Sequence, residues 1–203
     1  MRRLLHSAVA LCVLAGAGMS AHAQALGPQR QFLAIEPYYE HLRLDVGDNL
    51  DKAKFNGYGG RLWINTDPFH FIPNGSIALF LSYTPTQNLT IGGTSASSRS
   101  TQLAFGGEYD QFFVRRPLGG IIDPFLSVGY ERYRIKDNTT GTKQSYNGLP
   151  VGGGIRIPLP NRFELRGDAK DLILFNVPNA GTASGTKRTT NNLLLQAGLG
   201  LTF

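Results

Sequence analysis

Three groups of residues carry side chains suited to chemistry. The first is a set of acids and bases that recur at alternate positions: Glu36, Glu40, Arg61, Glu108, Asp110, Glu131, Arg156, Arg162, Glu164, Arg166, Asp168 and Lys170. Carboxylate and guanidinium groups held together out of bulk water neutralise each other, and they need such partners because a lone buried charge is costly. The second is a basic group, Arg132, Arg134, Lys136, Lys143, Lys187 and Arg188, suited to pairing with phosphate at close range. The third is His41, the one plausible base for a nucleophile within hydrogen-bond reach. Its expected role is that of an ordinary polar residue.

Other patterns carry less. Asp45, Asp48 and Asp51 are spaced by three, not at the alternate positions of a calcium-binding EF-hand loop, and read as solvated loop acids. Arg166-Gly167-Asp168 spells an integrin-type tripeptide inside an alternating run, where it is a coincidence of spacing. Asn88-Leu89-Thr90 and Asn138-Thr139-Thr140 fit a glycosylation pattern. Gly152-Gly153-Gly154 has no helix after it and is no phosphate loop.

The N-terminus reads as an export signal. Arg2 and Arg3 form a basic start, Leu4–Gly18 is apolar, and Ala21-His22-Ala23 is a small-x-small cleavage site. The expected division is a signal peptide over 1–23 and one domain over 24–203. Cleavage removes Cys12, both methionines, Arg2 and Arg3, leaving 18 basic against 14 acidic residues. No thiol remains, and of the histidines only His41 and His70 do. No thiolate or multi-histidine metal site is expected, and no catalytic residue or cofactor is assigned. No stretch in 24–203 approaches the roughly 18 apolar residues of a membrane helix.

The elements that must position these groups repeat with period two, the signature of strands. Eight such segments are read: Phe32–Arg43, Phe55–Asn65, Ser76–Pro85, Arg99–Val114, Pro124–Ile135, Gly148–Ile157, Arg162–Lys170 and Asn191–Phe203. In the last, Phe203, Leu201, Leu199, Ala197, Leu195 and Leu193 face one way. Pro37 is expected to mark a bulge or bend, since proline removes a ladder donor. Asp171-Leu172 breaks the alternation and is expected to be a bulge or the edge of a membrane. The first, third, fifth and seventh connections (Asp45–Lys54, Thr86–Ser98, Lys136–Asn147, Asn176–Thr190) read as polar loops. The others tend to be shorter and carry proline.

Period two alone does not say which face is wet. The polar face holds the twelve charged residues together with Gly59, Gly106, Gly129, Gly152, Gly154, Gly198 and Gly200. Glycines would weaken a water-facing outer surface, but they suit the narrow interior of an eight-stranded barrel. The apolar face carries Tyr39, Tyr58, Tyr83, Tyr109, Tyr130, Phe163 and Phe203 mostly near strand ends, where a lipid–water interface favours aromatics. A soluble lipocalin-like barrel with the apolar face inward is the alternative.

The terminal run resembles the closing strand of bacterial outer-membrane β-barrels, which ends in Phe with apolar residues two and four positions earlier. Ala197 departs from that pattern, which prefers a polar residue there. The 24–203 segment resembles the small OmpA/OmpX-like barrels. The resemblance implies an all-β, eight-stranded, antiparallel up-and-down transmembrane β-barrel in the outer membrane, with four loops outside the cell. It further implies that Phe203, Leu201 and Leu199 form an assembly signal for the barrel-assembly machinery. Some barrels of this architecture modify lipid A. Their deacylases carry His-x-Ser on one strand, where this chain has His41-Leu42-Arg43. The expected function is of structural or surface-interaction type, with a plugged interior. A narrow channel and a lipid A-modifying enzyme are the alternatives. The expected partners are outer-membrane lipid and lipopolysaccharide, the latter through the basic group, and no nucleic acid.

Overall fold

The computed structural model describes residues 32–44, 53–66, 74–91, 94–113, 122–178 and 187–203. Among them the alternation becomes eight antiparallel strands: β1 (Leu33–Leu44), β2 (Ala53–Asn65), β3 (Gly75–Ile91), β4 (Thr94–Phe112), β5 (Asp123–Asp137), β6 (Lys143–Pro158), β7 (Phe163–Pro178) and β8 (Lys187–Thr202). Each pairs with its sequence neighbour, and β8 closes on β1. The seam is finished by the Phe203 N–H donating to the Leu33 carbonyl at 2.7 Å. Closure leaves no strand edge unpaired, which a membrane demands of any sheet that crosses it.

The strands are staggered. Following paired residues once round, from Leu33 through Ile64, Ile77, Tyr109, Val128, Val151, Asp171 and Leu193, returns to β1 at Arg43, ten residues further on. For eight strands this offset corresponds to a tilt of roughly 40° from the barrel axis.

Facing follows parity. On β1, Ala34, Glu36, Tyr38, Glu40, Leu42 and Leu44 are buried, while Ile35, Tyr39 and Arg43 are exposed. The same holds round the barrel: Leu79 is 66% exposed and Tyr58 58%, while Glu36 and Asp110 are 0%. A surface this apolar around an interior this charged is stable only if the outer solvent is hydrocarbon. Tyr39, Tyr58 and Tyr83 are direct cross-strand neighbours on the outer wall, and Tyr130 continues their ring on β5. Phe32, Phe163 and Phe203 mark the opposite, terminal end.

Three expectations are corrected. Pro37 causes no bulge: it faces outward and pairs in register with Gly60, and the β1–β8 register is the same on either side of it. Of the two readings of Asp171-Leu172 only the bulge falls, since the β6–β7 register runs straight past it and the β7–β8 register shifts only between Leu174 and Val177. What changes there is the inward set, from charged Lys170 to apolar Leu172 and Leu174. Lastly, the connections read as loops over Thr86–Ser98 and Lys136–Asn147 are largely strand. The β3–β4 ladder reaches Ile91↔Thr94, and the β5–β6 ladder reaches Lys136↔Lys143. Beyond the hydrocarbon both faces meet water, so polar residues suit both faces and the alternation fades while the pairing continues.

Candidate functional site

The barrel interior is built by inward parity on every strand. Of the charged set, Glu36, Glu40, Arg61, Glu108, Asp110, Glu131, Arg156, Arg166, Asp168 and Lys170 are buried, and Glu164 is half-buried. Arg162 does not join them. It ends the short 3-10 turn Pro160–Arg162 and is exposed, because the chain reverses there before β7 begins.

Nine of the eleven inward charges form one connected network of ion pairs. Arg61 lies 2.9 Å from Glu36, 3.2 Å from Glu108 and 3.6 Å from Asp168. Arg166 reaches Asp110 at 2.5 Å, Asp168 at 2.7 Å and Glu108 at 3.2 Å. Lys170 binds Glu108 at 2.5 Å, and Arg156 bridges Asp110 at 3.4 Å and Glu164 at 3.9 Å. Gln196 ties in β8, with its Oε1 accepting from Arg61 and Lys170 and its Nε2 donating to Glu40 at 3.3 Å. Arg156 also donates to Ser76 on β3 at 3.3 Å.

Aromatic rings sandwich the guanidinium groups. Arg166 lies 4.2 Å from the centroids of both Trp63 and Phe125, and Arg156 lies 4.2 Å from Trp63 and 4.9 Å from Phe112. Arg61 sits 4.3 Å from Tyr38. The Trp63 indole N–H donates to Glu36 at 2.8 Å. Flat, delocalised guanidinium suits this packing, which fills volume that a lysine's compact head would leave empty. All eight strands contribute to the assembly.

Glycines make room for it, and at two of them a network side chain comes closest. A Cβ on Gly198 would stand 2.2 Å from Glu36 Oε1, and one on Gly59 would stand 2.3 Å from the Tyr38 ring. Backbone and side chain meet at those positions with no space between.

Glu40 and Glu131 stand apart. Both are buried, yet among the described residues neither makes an ion pair. Seven carboxylates of the charged set turn inward against four bases, so the neutralisation expected from the sequence is incomplete.

Sequence reasoning missed Trp63, Gln196 and the stacked rings. Trp63 shares parity with Arg61, and Gln196 with the small and polar face of the last strand, so the signal was present. It also missed an apolar layer at the loop end of the interior, built from Leu42, Leu44, Phe55, Leu172, Leu174 and Leu194 with their neighbours.

Of the basic group, Arg132, Arg134, Lys136, Lys143 and Lys187 are exposed. Arg188 shares the inward parity of Thr190 and Asn192 and is half-buried, so it leaves the group. Two exposed bases join it, Arg43 and Lys54, directly opposite each other on β1 and β2. Lys136 and Lys143 are likewise direct cross-strand partners. His41 Nδ1 lies 2.7 Å from Asn56 Oδ1, which also accepts from the Tyr39 hydroxyl at 2.8 Å. That is a polar cluster on the outer wall, and none of its members is a serine nucleophile. The other site readings fall as follows. Arg166 and Asp168 of the tripeptide point inward and pair with each other. Gly152-Gly153-Gly154 lies within β6. His70, Asp45, Asp48, Asp51 and the 1–23 segment lie outside the described residues. Phe203, Leu201 and Leu199 are exposed on the outer wall.

A family model described as "Outer membrane protein beta-barrel domain" matches residues 9–203. The chain belongs to that family. Its place is the bacterial outer membrane, which accounts for the apolar outer wall. The barrel is similar to the crystal structure of Neisserial surface protein A, with 14% identity, 84% of this chain and 97% of that chain covered, and a TM-score of 0.61. It is also similar to the N-terminal β-barrel domain of Pseudomonas aeruginosa OprF, with 14% identity, coverage of 86% and 100%, and a TM-score of 0.48. The attachment invasion locus protein Ail of Yersinia pestis, in complex with the heparin analogue sucrose octasulfate, aligns with 13% identity, coverage of 85% and 100%, and a TM-score of 0.48. No curated protein sequence gives a significant match.

Proposed function

We propose that this barrel is a structural or surface-interaction protein whose interior is closed to solutes. The observation that carries this is the interior network: Arg61, Arg156, Arg166 and Lys170 are buried and bound to Glu36, Glu108, Asp110, Glu164 and Asp168 across the lumen. An eight-stranded barrel leaves only enough space for side chains, and stacked rings occupy much of it. The apolar layer above adds a second barrier to ions. A solute-flux assay tests the reading. Vesicles carrying the purified protein should swell in a small sugar no faster than protein-free vesicles. Faster swelling would favour the narrow channel.

The outer wall supplies the interaction surface. Just beyond the tyrosine ring, toward the loop end, it carries Arg43, Lys54, Arg132, Arg134, Lys136, Lys143 and Lys187. Like charges directly opposite on a sheet destabilise it, so an anion between or beside the Arg43–Lys54 and Lys136–Lys143 pairs would be bound favourably. The phosphates of lipopolysaccharide in the outer leaflet supply that charge. Replacing Arg132, Arg134, Lys136, Lys143 and Lys187 together by Gln should lower the lipopolysaccharide that co-purifies with the protein several-fold. Unchanged co-purification removes this part of the proposal. The assembly role of Phe203, Leu201 and Leu199 rests on their place at the closing seam.

A further inference from the structure

Two inward carboxylates take no part in the ion pairs, and the register sets them face to face. From Tyr38 the paired residues run through Gly59, Ser82 and Ala104 to Tyr133 on β5. Round the other side they run through Gly198, Arg166 and Arg156 to Asp123, also on β5. The point of β5 directly across from Tyr38 lies midway between those ends, at Val128. Glu40 stands two residues on from Tyr38, so it is level with Tyr130 and faces Glu131 across the axis. By the same stagger Ser82 on β3 lies at that height, and Tyr133 is the next inward residue above Glu131. An eight-stranded barrel is just wide enough for side chains, so groups on opposite walls meet at its centre.

What gathers there is oxygen. Glu40 Oε1, Glu131 Oε1, Tyr38 Oη, Tyr133 Oη and Ser82 Oγ are all buried, and among the described residues none makes a well-formed hydrogen bond. Glu131 lies within electrostatic reach of Glu40, and Tyr133 within reach of Glu131, Glu40 and Tyr38. Ser82 stands beside both Glu40 and Tyr38. The bases nearby are engaged elsewhere, Lys170 by Glu108 and Gln196, and Arg61 by Glu36, Glu108 and Asp168. Buried polar atoms are rarely left without a partner, and seven inward carboxylates against four bases leave negative charge in excess. A positive ion meets both needs. Among the described residues no third carboxylate or imidazole joins the pair as a metal ligand, so hydroxyls must complete the shell. Oxygen donors alone suit a hard cation. Two carboxylates using both oxygens, with three hydroxyls, reach the roughly 6–8 oxygens that calcium takes.

We propose that Glu40 and Glu131 hold a calcium ion inside the barrel, with Tyr38, Ser82 and Tyr133 completing its shell. The apolar layer of Leu42, Leu172, Leu174 and Leu194 lies above it, so the ion enters as the barrel folds and leaves slowly. The ion site stands apart from the closed-lumen reading. A barrel that passes sugar can still hold the ion, and a closed one can carry protons on Glu40 and Glu131 instead.

The test refolds the protein from urea into phosphatidylcholine vesicles free of lipopolysaccharide. Calcium chloride is present, with excess magnesium to occupy exposed acids. After gel filtration into calcium-free buffer, bound metal is counted by atomic emission. The native protein should retain about one calcium per chain. A Glu40→Gln/Glu131→Gln variant, checked for folding by its gel shift on boiling, should retain almost none. Terbium loaded in place of calcium should luminesce when tyrosine is excited. Its lifetimes in H₂O and D₂O should report few bound waters, whereas an ion on the surface keeps most of its hydration. The proposal is overturned if the native protein retains no more calcium than the variant, or if its terbium is as hydrated as terbium on protein-free vesicles. Calcium-free native barrels would mean that the two carboxyls carry protons. Should the variant fail to fold, the hydration of terbium in the native protein decides alone.

Discussion

Arg166 is the residue on which the interior turns. Its guanidinium touches Asp110, Asp168 and Glu108 and lies between Trp63 and Phe125. Removing one partner from a buried ion network leaves the others uncompensated, at a cost of about 3–5 kcal/mol. Arg166→Met should therefore lower the stability of the folded barrel by that order, read as a fall in the urea midpoint of protein in lipid vesicles. Arg132→Gln on the exposed outer wall should stay within about 0.5 kcal/mol of the native protein. A change as small at Arg166 would show that the network does not hold the fold. At this scale much was legible in advance, because inward parity alone picks out Arg61, Glu108 and Arg166. Arg162 and Arg188 were misplaced for local reasons. One falls in the turn where the alternation stops, and the other lies on a strand end whose polar composition is that of a loop. Parity does not reveal who pairs with whom, so the lack of an ion pair at Glu40 and Glu131 emerges only from the packed barrel.

At the scale of elements, the strands were legible wherever one face meets lipid. There a single-residue slip would put charges into hydrocarbon, so the pattern is strict. Outside the membrane the constraint lapses, and the β5–β6 hairpin could not be told from a loop. Its turn is held by Asp137, whose carboxylate accepts first the Thr139 N–H and then the Thr140 hydroxyl, while Gly141 takes a positive φ of 74°. These bonds favour the charged form and hold the Asp137 pKa below the usual aspartate range. The sign follows from linkage. A lowered folded value means the turn has its full stability above the ordinary aspartate pKa and loses it as the pH falls through the lowered one. The Thr139 and Thr140 amide shifts, followed by NMR, should hold steady down to the ordinary aspartate range and move only below it. Asp137→Ala should abolish that step. A step at or above the ordinary aspartate pKa would mean that the carboxylate is not held in this way.

For the whole molecule, the physical logic is an inversion. Hydrocarbon outside selects the leucines, isoleucines and tyrosines of the outer wall, and the interior, too narrow for bulk water, selects charges that bind one another. Closure of β8 on β1 makes both possible by leaving no edge. The same inversion separates the barrel from a soluble carrier, whose apolar set would face inward. The central claim is that the charge network closes the lumen, and single-channel recording in a planar lipid bilayer tests it most directly. The native protein should show no steady openings, while a Glu108→Ala/Arg166→Ala variant that also carries Leu172→Ala and Leu174→Ala in the apolar layer, and retains its gel shift, should conduct. Steady unitary openings of the native protein would contradict the account and make the barrel a channel.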